Sequence, residues 1–454
     1  MKIIIVGAGK VGDTLAEQLS GEDNDVTVVD RDYAAVQAIS NEYDIMGIVG
    51  SGTDHSVLEE AGVEKADILI AVTGSDELNM LTCLIAKKAG NCQTIARVRN
   101  PEYNREIRYI KEELGLAMVI NPEFAAAMEI ARILRFPSAI KIETFAKDRV
   151  EALKFRVSEG SVLHNMTVSE ITTRLHCDEV LVCTVERGDK AIIPDGNFVM
   201  QEKDVISVIA SPKRASQFFK KIKVQTNQVR DTMIVGGGKV TFYLAKLLLS
   251  MGIDVKIIES NRERCEHLSD LLPQATIICG DGVDQALLME EGLMKTDSFV
   301  TLTNMDEENI LLSLFARNKH NKMKVITKIN SIAFDEVINK LDLDSIIYPK
   351  YVTAEHIVRF VRAMKNSIGS NVETLHHLVD NKVEALEFCI RENAPVLNVP
   401  LEKLRLKDNL LIGCISRGRK IITPKGQDML MLGDTVVVIT TNKGLNDISD
   451  ILKD

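Results

Sequence analysis

Hydrophobic residues in this chain follow two alternating rhythms. Short unbroken apolar runs read as strands buried on both faces. Each is followed by a stretch in which apolar residues recur at helical spacing. The first run is Ile3-Ile4-Ile5-Val6. Val11, Leu15, Ala16 and Leu19 then mark one face of a helix, and a second run occupies 26–29. Further strands are expected at 45–49, 67–72, 94–98 and 117–120. Helices are expected at 57–61, at 78–89, from Pro101, and from Pro122 to about Leu134. Proline suits a first helical turn, where its missing N–H costs nothing. Six strands separated by helices predict an α/β fold with a doubly wound parallel sheet. Ligands in such sheets bind at the carboxyl ends of the strands, where the strand order reverses.

After Phe136-Pro137 the rhythm changes. Residues 140–223 read as short strands near 151–157, 180–186, 191–193 and 205–209. Turns fall at Arg187-Gly188-Asp189 and Pro194-Asp195-Gly196, residue types that favour tight reversals. This stretch is a small β-rich domain, too short for the substrate domain of most dehydrogenases. The whole pattern then repeats. Gly236-Gly237-Gly238-Lys239-Val240-Thr241 answers Gly7-Ala8-Gly9-Lys10-Val11-Gly12 (236 − 7 = 229), and Glu259 answers Asp30 (259 − 30 = 229). Gly280-Asp281-Gly282 answers Gly50-Ser51-Gly52, and Lys328 answers Arg97. Val383-Glu384-Ala385-Leu386 answers Val150-Glu151-Ala152-Leu153. Repetition on this scale means two copies of one two-part unit. The fold class expected is α/β: two Rossmann-like doubly wound parallel sheets, each followed by a small α+β, β-rich domain. The expected domains are 1–136, 140–223, 230–366 and 370–454, with linkers near 136–140, 222–230 and 366–372.

Composition narrows the class of partner. The net charge of −10 and pI of about 5.5 argue against nucleic acid or an anionic membrane surface as the main partner. No apolar run reaches the length of a membrane span, and no signal peptide is expected. The eight cysteines are scattered without a CxxC, which fits buried free thiols in a reducing cytosol and no metal site.

The candidate chemistry lies at the first strand–helix junction. Gly7 turns the chain off the strand, Gly9 lets a pyrophosphate approach the backbone, and Gly12 lets the helix pack close to the sheet. Ala8, Lys10 and Val11 complete the turn and the helix start, whose free N–H groups and positive dipole end face the phosphate. Asp30 lies 30 − 12 = 18 residues after Gly12, where an acid accepts hydrogen bonds from ribose hydroxyls. Its charge favours NAD(H) over NADP(H), although Arg31 beside it is of the type that accepts a 2′-phosphate.

These motifs, with GSGTDHSVLEEAG at 50–62, ADILIAVTGSDELNM at 66–80, IARVRNPEY at 95–103, GDGVDQALLMEEG at 280–292 and TLTNMDEEN at 301–309, resemble the TrkA family of regulatory subunits. That family carries tandem RCK (regulator of potassium conductance) units, and the resemblance covers essentially the whole chain. It implies a cytoplasmic protein that sits on the inner face of the cell membrane through its partner, a separate Trk-type potassium-translocating subunit. It implies NAD(H) as ligand, or ATP/ADP, and assembly into a homo-oligomer, a tetramer. Ligand contacts implied in the first copy are Gly7 to Gly12, Asp30, Arg31, Ser51, Gly52, Thr53, Thr73, Gly74 and Arg97. In the second copy they are Gly236, Gly237, Gly238, Lys239, Val240, Glu259, Asp281, Gly282, Thr303, Asn304 and Lys328. Serine at 51 departs from the acid common in relatives, whereas Asp281 keeps it. Thr241 replaces the third glycine and is expected to crowd the helix–sheet contact.

The rival class is an NAD-dependent dehydrogenase. It needs a proton donor or acceptor beside the nicotinamide, on a covering domain. None of the eight histidines has such a context: His55 is expected to open a helix, and His376-His377 to be solvated. A third reading is a sensor for another adenine-containing signal, bound near basic turns such as Arg417-Gly418-Arg419-Lys420. The chain is therefore expected to bind nucleotide without catalysis.

Overall fold

β1 (Lys2–Val6) is fully covered from Ile3 onward because four consecutive apolar residues leave neither face polar. It therefore lies at the centre of a six-stranded parallel sheet. β2 (Asp25–Asp30) and β3 (Met46–Val49) extend the sheet on one side. β4 (Ile68–Ala71), β5 (Gln93–Arg97) and β6 (Met118–Ile120) extend it on the other, giving the order β3-β2-β1-β4-β5-β6. Between the strands run α1 (Lys10–Ser20), α2 (Tyr33–Tyr43), α3 (His55–Glu60), α4 (Asp76–Gly90), α5 (Pro101–Arg105), α6 (Ile107–Glu113) and α7 (Pro122–Arg135). The order reverses between β1 and β4. This computed structural model describes all residues except 23, 147–148, 189, 225–228, 331–337, 339–340, 342, 367–371, 380–381, 392–393, 419, 446 and 454.

The next part is an antiparallel sheet of β7 (Lys141–Phe145), β8 (Val150–Arg156), β9 (Leu181–Arg187), β10 (Lys190–Ile192) and β11 (Val205–Ala210), ordered β10-β9-β11-β8-β7. Two helices, α8 (Val168–Thr173) and α9 (Pro212–Lys221), accompany it. These helices and β7 go beyond the strands expected from apolar runs. The start signals are present: a Thr167/Glu170 capping box opens α8 and Pro212 opens α9. With so few turns, each helix shows too little periodicity to stand out. The α9 side chains Ala215, Phe218 and Phe219 are buried in the sheet's core.

The same order then recurs. β12 (Asp231–Val235), β13 (Asp254–Glu259), β14 (Thr276–Cys279), β15 (Ser298–Thr301), β16 (Lys324–Lys328) and β17 (Ser345–Ile347) form a sheet ordered β14-β13-β12-β15-β16-β17. Its helices include α10 (Lys239–Ser250), α11 (Arg262–Leu271), α12 (Gln285–Glu290), α13 (Asp306–Lys319) and α14 (Pro349–Asn366). A last antiparallel sheet holds β18 (Val372–Val379), β19 (Val383–Cys389), β20 (Leu410–Arg417), β21 (Lys420–Ile422) and β22 (Thr435–Thr440).

Residues 1–131 and 230–361 form one compact unit, and 132–229 and 362–454 another. Within the first, Tyr243 of α10 joins the two copies. Its hydroxyl accepts from Asn121 Nδ2 (3.0 Å) and donates to the Arg99 carbonyl (3.2 Å), and its ring meets Phe124 edge-on at 5.6 Å. Within the second unit the two antiparallel sheets share one core, with Phe145, Val150, Cys183 and Ile209 packed with Val383, Ala385, Cys414 and Val437. His376 is buried there, with Nδ1 2.8 Å from Glu143 Oε2. This corrects the expectation of a solvated histidine, because β18 faces the other sheet rather than water. Six cysteines are buried, whereas Cys279 is exposed and Cys389 partly so. Parts of the expected linkers (225–228 and 367–371), Asp189, Arg419 and the His377 side chain lie outside the described residues.

Burial alone would raise the Glu143 carboxyl, but Lys141 (2.5 Å) and His376 hold it well below the usual carboxylate range. A carboxylate lowered on folding adds stability above its unfolded pKa of about 4.3, and that stability is lost as pH falls. Glu143→Gln should therefore cost about 3 kcal/mol near pH 7, the scale for breaking a buried ion pair. The gap to wild type should begin to narrow below about pH 4.3 and go on closing as pH falls toward the lowered folded-state pKa. Urea unfolding midpoints of both proteins across this range would test it, and a gap independent of pH would refute it.

Candidate functional site

The glycine turn after β1 is shaped by Gly7, whose φ of +116° belongs to the region that only glycine enters freely. A Cβ there would also stand 2.9 Å from the Thr73 amide nitrogen. Gly9 follows as the N-cap of α1 and offers no side-chain cap. The first-turn N–H groups of α1, which have no partner inside the helix, thus stay available to an anion. A Cβ at Gly9 would meet nothing within 4 Å, so this backbone faces open space. Gly12 does the reverse. A Cβ there would lie 1.8 Å from the Gly7 carbonyl oxygen, so only hydrogen fits where the helix crosses the turn.

Asp30 ends β2 and closes the turn from the other side. Its Oδ2 accepts the Ala8 N–H at 2.7 Å and its Oδ1 the Asp32 N–H at 3.0 Å. Each carboxylate oxygen has a further lone pair for a hydroxyl. Arg31 donates to Ser51 Oγ (2.8 Å), which in turn is 2.8 Å from Thr53 Oγ1. With Gly52, these residues frame one end of a cleft of about 480 Å³. Twelve of the fourteen residues assigned to the first copy line it: Gly7, Gly9, Lys10, Val11, Asp30, Arg31, Ser51, Gly52, Thr53, Thr73, Gly74 and Arg97. Ala8 contributes its amide to Asp30, and Gly12 lies behind the turn, so neither is on the wall.

The opposite end is held by Arg97. Its guanidinium donates to the Thr73 carbonyl. Its Nε is buried with no hydrogen-bond partner among the described residues. Burial, followed by the nearby Arg99, lowers its pKa, while Glu123 and Asp76 oppose this. An incompletely paired cation at a cleft wall attracts an anion.

Asn79 positions this wall, and it was not singled out from the sequence. It is fully buried. Oδ1 accepts from Thr73 N (2.8 Å) and Thr73 Oγ1 (2.7 Å), and Nδ2 donates to the Arg97 carbonyl (2.9 Å). One side chain thus ties the loop after β4 to the end of β5. Asn309 repeats it, bonding Thr303 N (2.9 Å), Thr303 O (3.1 Å) and Lys328 O (3.0 Å). A polar residue repeated at an offset of 230 (309 − 79) on a helix face otherwise buried was the available signal. Leu78 and Thr82 of α4 also line the cleft.

The second copy brings its assigned residues to the same strand ends with altered chemistry. Gly236 has φ +101°, and Gly238 is an uncapped N-cap whose Cβ would meet nothing within 4 Å. Lys239 and Val240 start α10. Glu259 Oε2 accepts the Gly237 N–H at 2.6 Å, and Arg264 Nε donates to the Gly237 carbonyl at 2.6 Å. Thr241 does not merely crowd the contact: its Oγ1 donates to the Gly236 carbonyl at 2.5 Å. The oxygen that Gly12 must avoid in one copy is thus a hydrogen-bond acceptor in the other. Asp281 accepts from Val283 N (3.0 Å), while Gly282 packs on Val235. Thr303 Oγ1 donates to Met305 O (3.2 Å), with Asn304 exposed between them. Lys328 is buried and donates to the Leu302 carbonyl (3.3 Å). Burial lowers its pKa, Asp306 and Glu123 raise it, and Lys10 of the first copy lowers it again. Lys239 reciprocates by lying in the field of Glu123.

The TrkA-N domain family matches residues 3–122 and 232–349, and the TrkA-C domain family matches 153–223 and 385–453. The chain belongs to the TrkA family. It is 33% identical over 449 residues to the Trk system potassium uptake protein TrkA of Haemophilus influenzae, covering 98% of this chain and 96% of that one. The TrkA homolog of Archaeoglobus fulgidus is 32% identical over 455 residues, with both chains covered completely. Among solved structures, the GsuK channel bound to NAD shares the fold, with a TM-score of 0.64 and 17% identity. The likeness covers 97% of this chain and 77% of that one. TrkA-N matches thus fall on the two parallel sheets, and TrkA-C matches on the two antiparallel ones.

Gly12→Ala and Gly9→Ala should separate packing from ligand contact. Forcing a methyl group against the Gly7 carbonyl is expected to cost about 1–3 kcal/mol, read as a fall in the urea midpoint. Gly9→Ala, facing open space, should leave that midpoint unchanged. Equal stability of the Gly12 variant and wild type would mean that the turn yields.

Proposed function

We propose that this chain is the regulatory subunit of a Trk-type potassium uptake system. It binds NAD(H), or ATP/ADP, in the first cleft and controls a separate potassium-translocating membrane subunit, with no catalysis of its own. One observation carries the reading. A cleft floored by an uncapped helix start, with Asp30 at one wall and at the other the Nε of Arg97, unpartnered among the described residues, lies in a chain whose full-length relatives are named as Trk potassium uptake proteins. Related folds have been solved as channels bound to NAD and to ADP. The division of labour follows domains 1–136, 140–223, 230–366 and 370–454. The pyrophosphate lies on Gly7 to Gly12, the ribose on Asp30, and the far half of the ligand reaches Arg97. The second copy offers Gly236 to Val240, Glu259, Asp281, Gly282, Thr303, Asn304 and Lys328 to a second nucleotide.

Among the described residues no helix is long and apolar enough to cross a membrane, so transport belongs to the partner. In this reading the chain is cytoplasmic and held at the inner face of the membrane by that partner. A ligand shifts a conformational equilibrium only by its differential affinity for the two states. One site couples by about 1–3 kcal/mol, whereas moving from nearly shut to nearly open takes about 5.5 kcal/mol. Several coupled sites are needed, which is the physical case for a tetramer of duplicated chains.

Calorimetry should show NADH binding to wild type more tightly than NADPH. Gly9→Ala should weaken it at least tenfold, because its methyl group stands where the phosphates must touch the backbone. Unchanged affinity would remove the cleft assignment, and tighter NADPH would show that Arg31 outweighs Asp30.

Light scattering should report an oligomer, and small-angle scattering profiles should differ between NADH, ATP, ADP and no ligand. A monomer in all conditions would rule out the tetramer, and identical profiles would rule out a ligand-driven change of shape.

A further inference from the structure

Two thiols meet beside the second glycine turn. Cys265 lies in the first half of α11, is buried, and donates from Sγ to the Glu259 carbonyl at 3.2 Å. Cys279 is the last residue of β14, an edge strand, and is exposed. It is the register partner of Glu259 on β13. Helix α11 thus places one thiol over the strand ends that carry the other: Cys265 Sγ lies 3.2 Å from the carbonyl oxygen of Glu259, the residue that pairs with Cys279. The corresponding positions of the first copy are Val36 and Val49 (265 − 36 = 229; 279 − 49 = 230). Both positions are valine in one copy and cysteine in the other.

We propose that Cys265 and Cys279 are a peroxide-responsive dithiol that closes to a reversible disulfide in the second copy. The exposed Cys279 reacts first. Burial, then the Cys279 thiol itself, push the Cys265 thiol up to about 11, so it stays protonated at neutral pH and is a poor first nucleophile. Cys279 sulfur attacks one oxygen of hydrogen peroxide. The O–O bond breaks, water leaves, and Cys279 becomes a sulfenic acid. Cys265 sulfur then attacks that sulfur, and the expelled hydroxide leaves as water with the Cys265 proton. Overall two thiols lose two hydrogens and two electrons, and one peroxide becomes two waters. An external dithiol reverses the bond by exchange. The crosslink pins α11 to β14, directly behind Glu259 and just before the Gly280–Gly282 turn. It therefore stiffens one wall of the second copy and leaves the first unchanged.

The test uses the full chain, treated with hydrogen peroxide, alkylated, and digested without reduction. Peptides carrying Cys265 and Cys279 should appear as one crosslinked species, two hydrogens lighter than their sum, and separate on adding dithiothreitol. Cys265→Val and Cys279→Val, which copy the first copy's Val36 and Val49, should each abolish it. In Cys265→Val, Cys279 should run on to sulfinic acid. The proposal is overturned if wild-type Cys279 reaches sulfinic acid while Cys265 is alkylated, if Cys279 links to another cysteine, or if neither reacts.

Discussion

A carboxylate that accepts a glycine-turn amide is the interaction on which both parallel sheets depend. Asp30 takes the Ala8 N–H, and Glu259 takes the Gly237 N–H. Each bond joins the end of the second strand to the loop leaving the first. With that loop fixed, the following helix starts where its free N–H groups face the cleft. The extra methylene of Glu259 is absorbed because the turn above it is all glycine: a Cβ at Gly237 would lie 2.8 Å from Glu259 Oε2. Sequence thus compensates within one contact, since a longer acid requires a barer turn.

The parallel sheets were legible because both signals in them are local. Continuous apolar runs such as Ile3 to Val6 cannot be exposed on either face, and a positive-φ glycine follows each first strand. Strand ends also locate a cleft before any side chain is placed, which is why twelve assigned residues line one cleft. What was hidden depends on contacts distant in sequence. His376 reads as a polar residue in a weak strand until β7 supplies Glu143. Asn79 reads as an ordinary helix residue until Arg97, eighteen positions on, offers its carbonyl. Thr241 reads as a steric fault, because apolar and polar patterns do not reveal that its hydroxyl has an acceptor. The family resemblance supplied ligand and partner, neither of which periodicity could provide.

The two copies also feel one another electrically. Lys10 lowers the pKa of Lys328, and Lys239 opposes the burial-driven rise of Glu123. The lysine that starts each turn helix thus lies in the field of the other copy's strand-end region. Negative charge gained beside Lys10 would be felt at Lys328 without any change in packing, and the effect is strongest where water is excluded.

The shared core of the two antiparallel sheets has an evolutionary consequence. Two identical chains meeting through a twofold interface receive every substitution twice, once on each side. Joined end to end, the halves inherit changes singly. Thr241 opposite Gly12, Lys328 opposite Arg97 and Cys265 opposite Val36 are differences that a dimer of identical halves could not hold. Fusion therefore let one lineage keep a conventional turn while its twin drifted toward another chemistry, with Ile209 still packed into the hollow left by Gly413 to hold the pair in register.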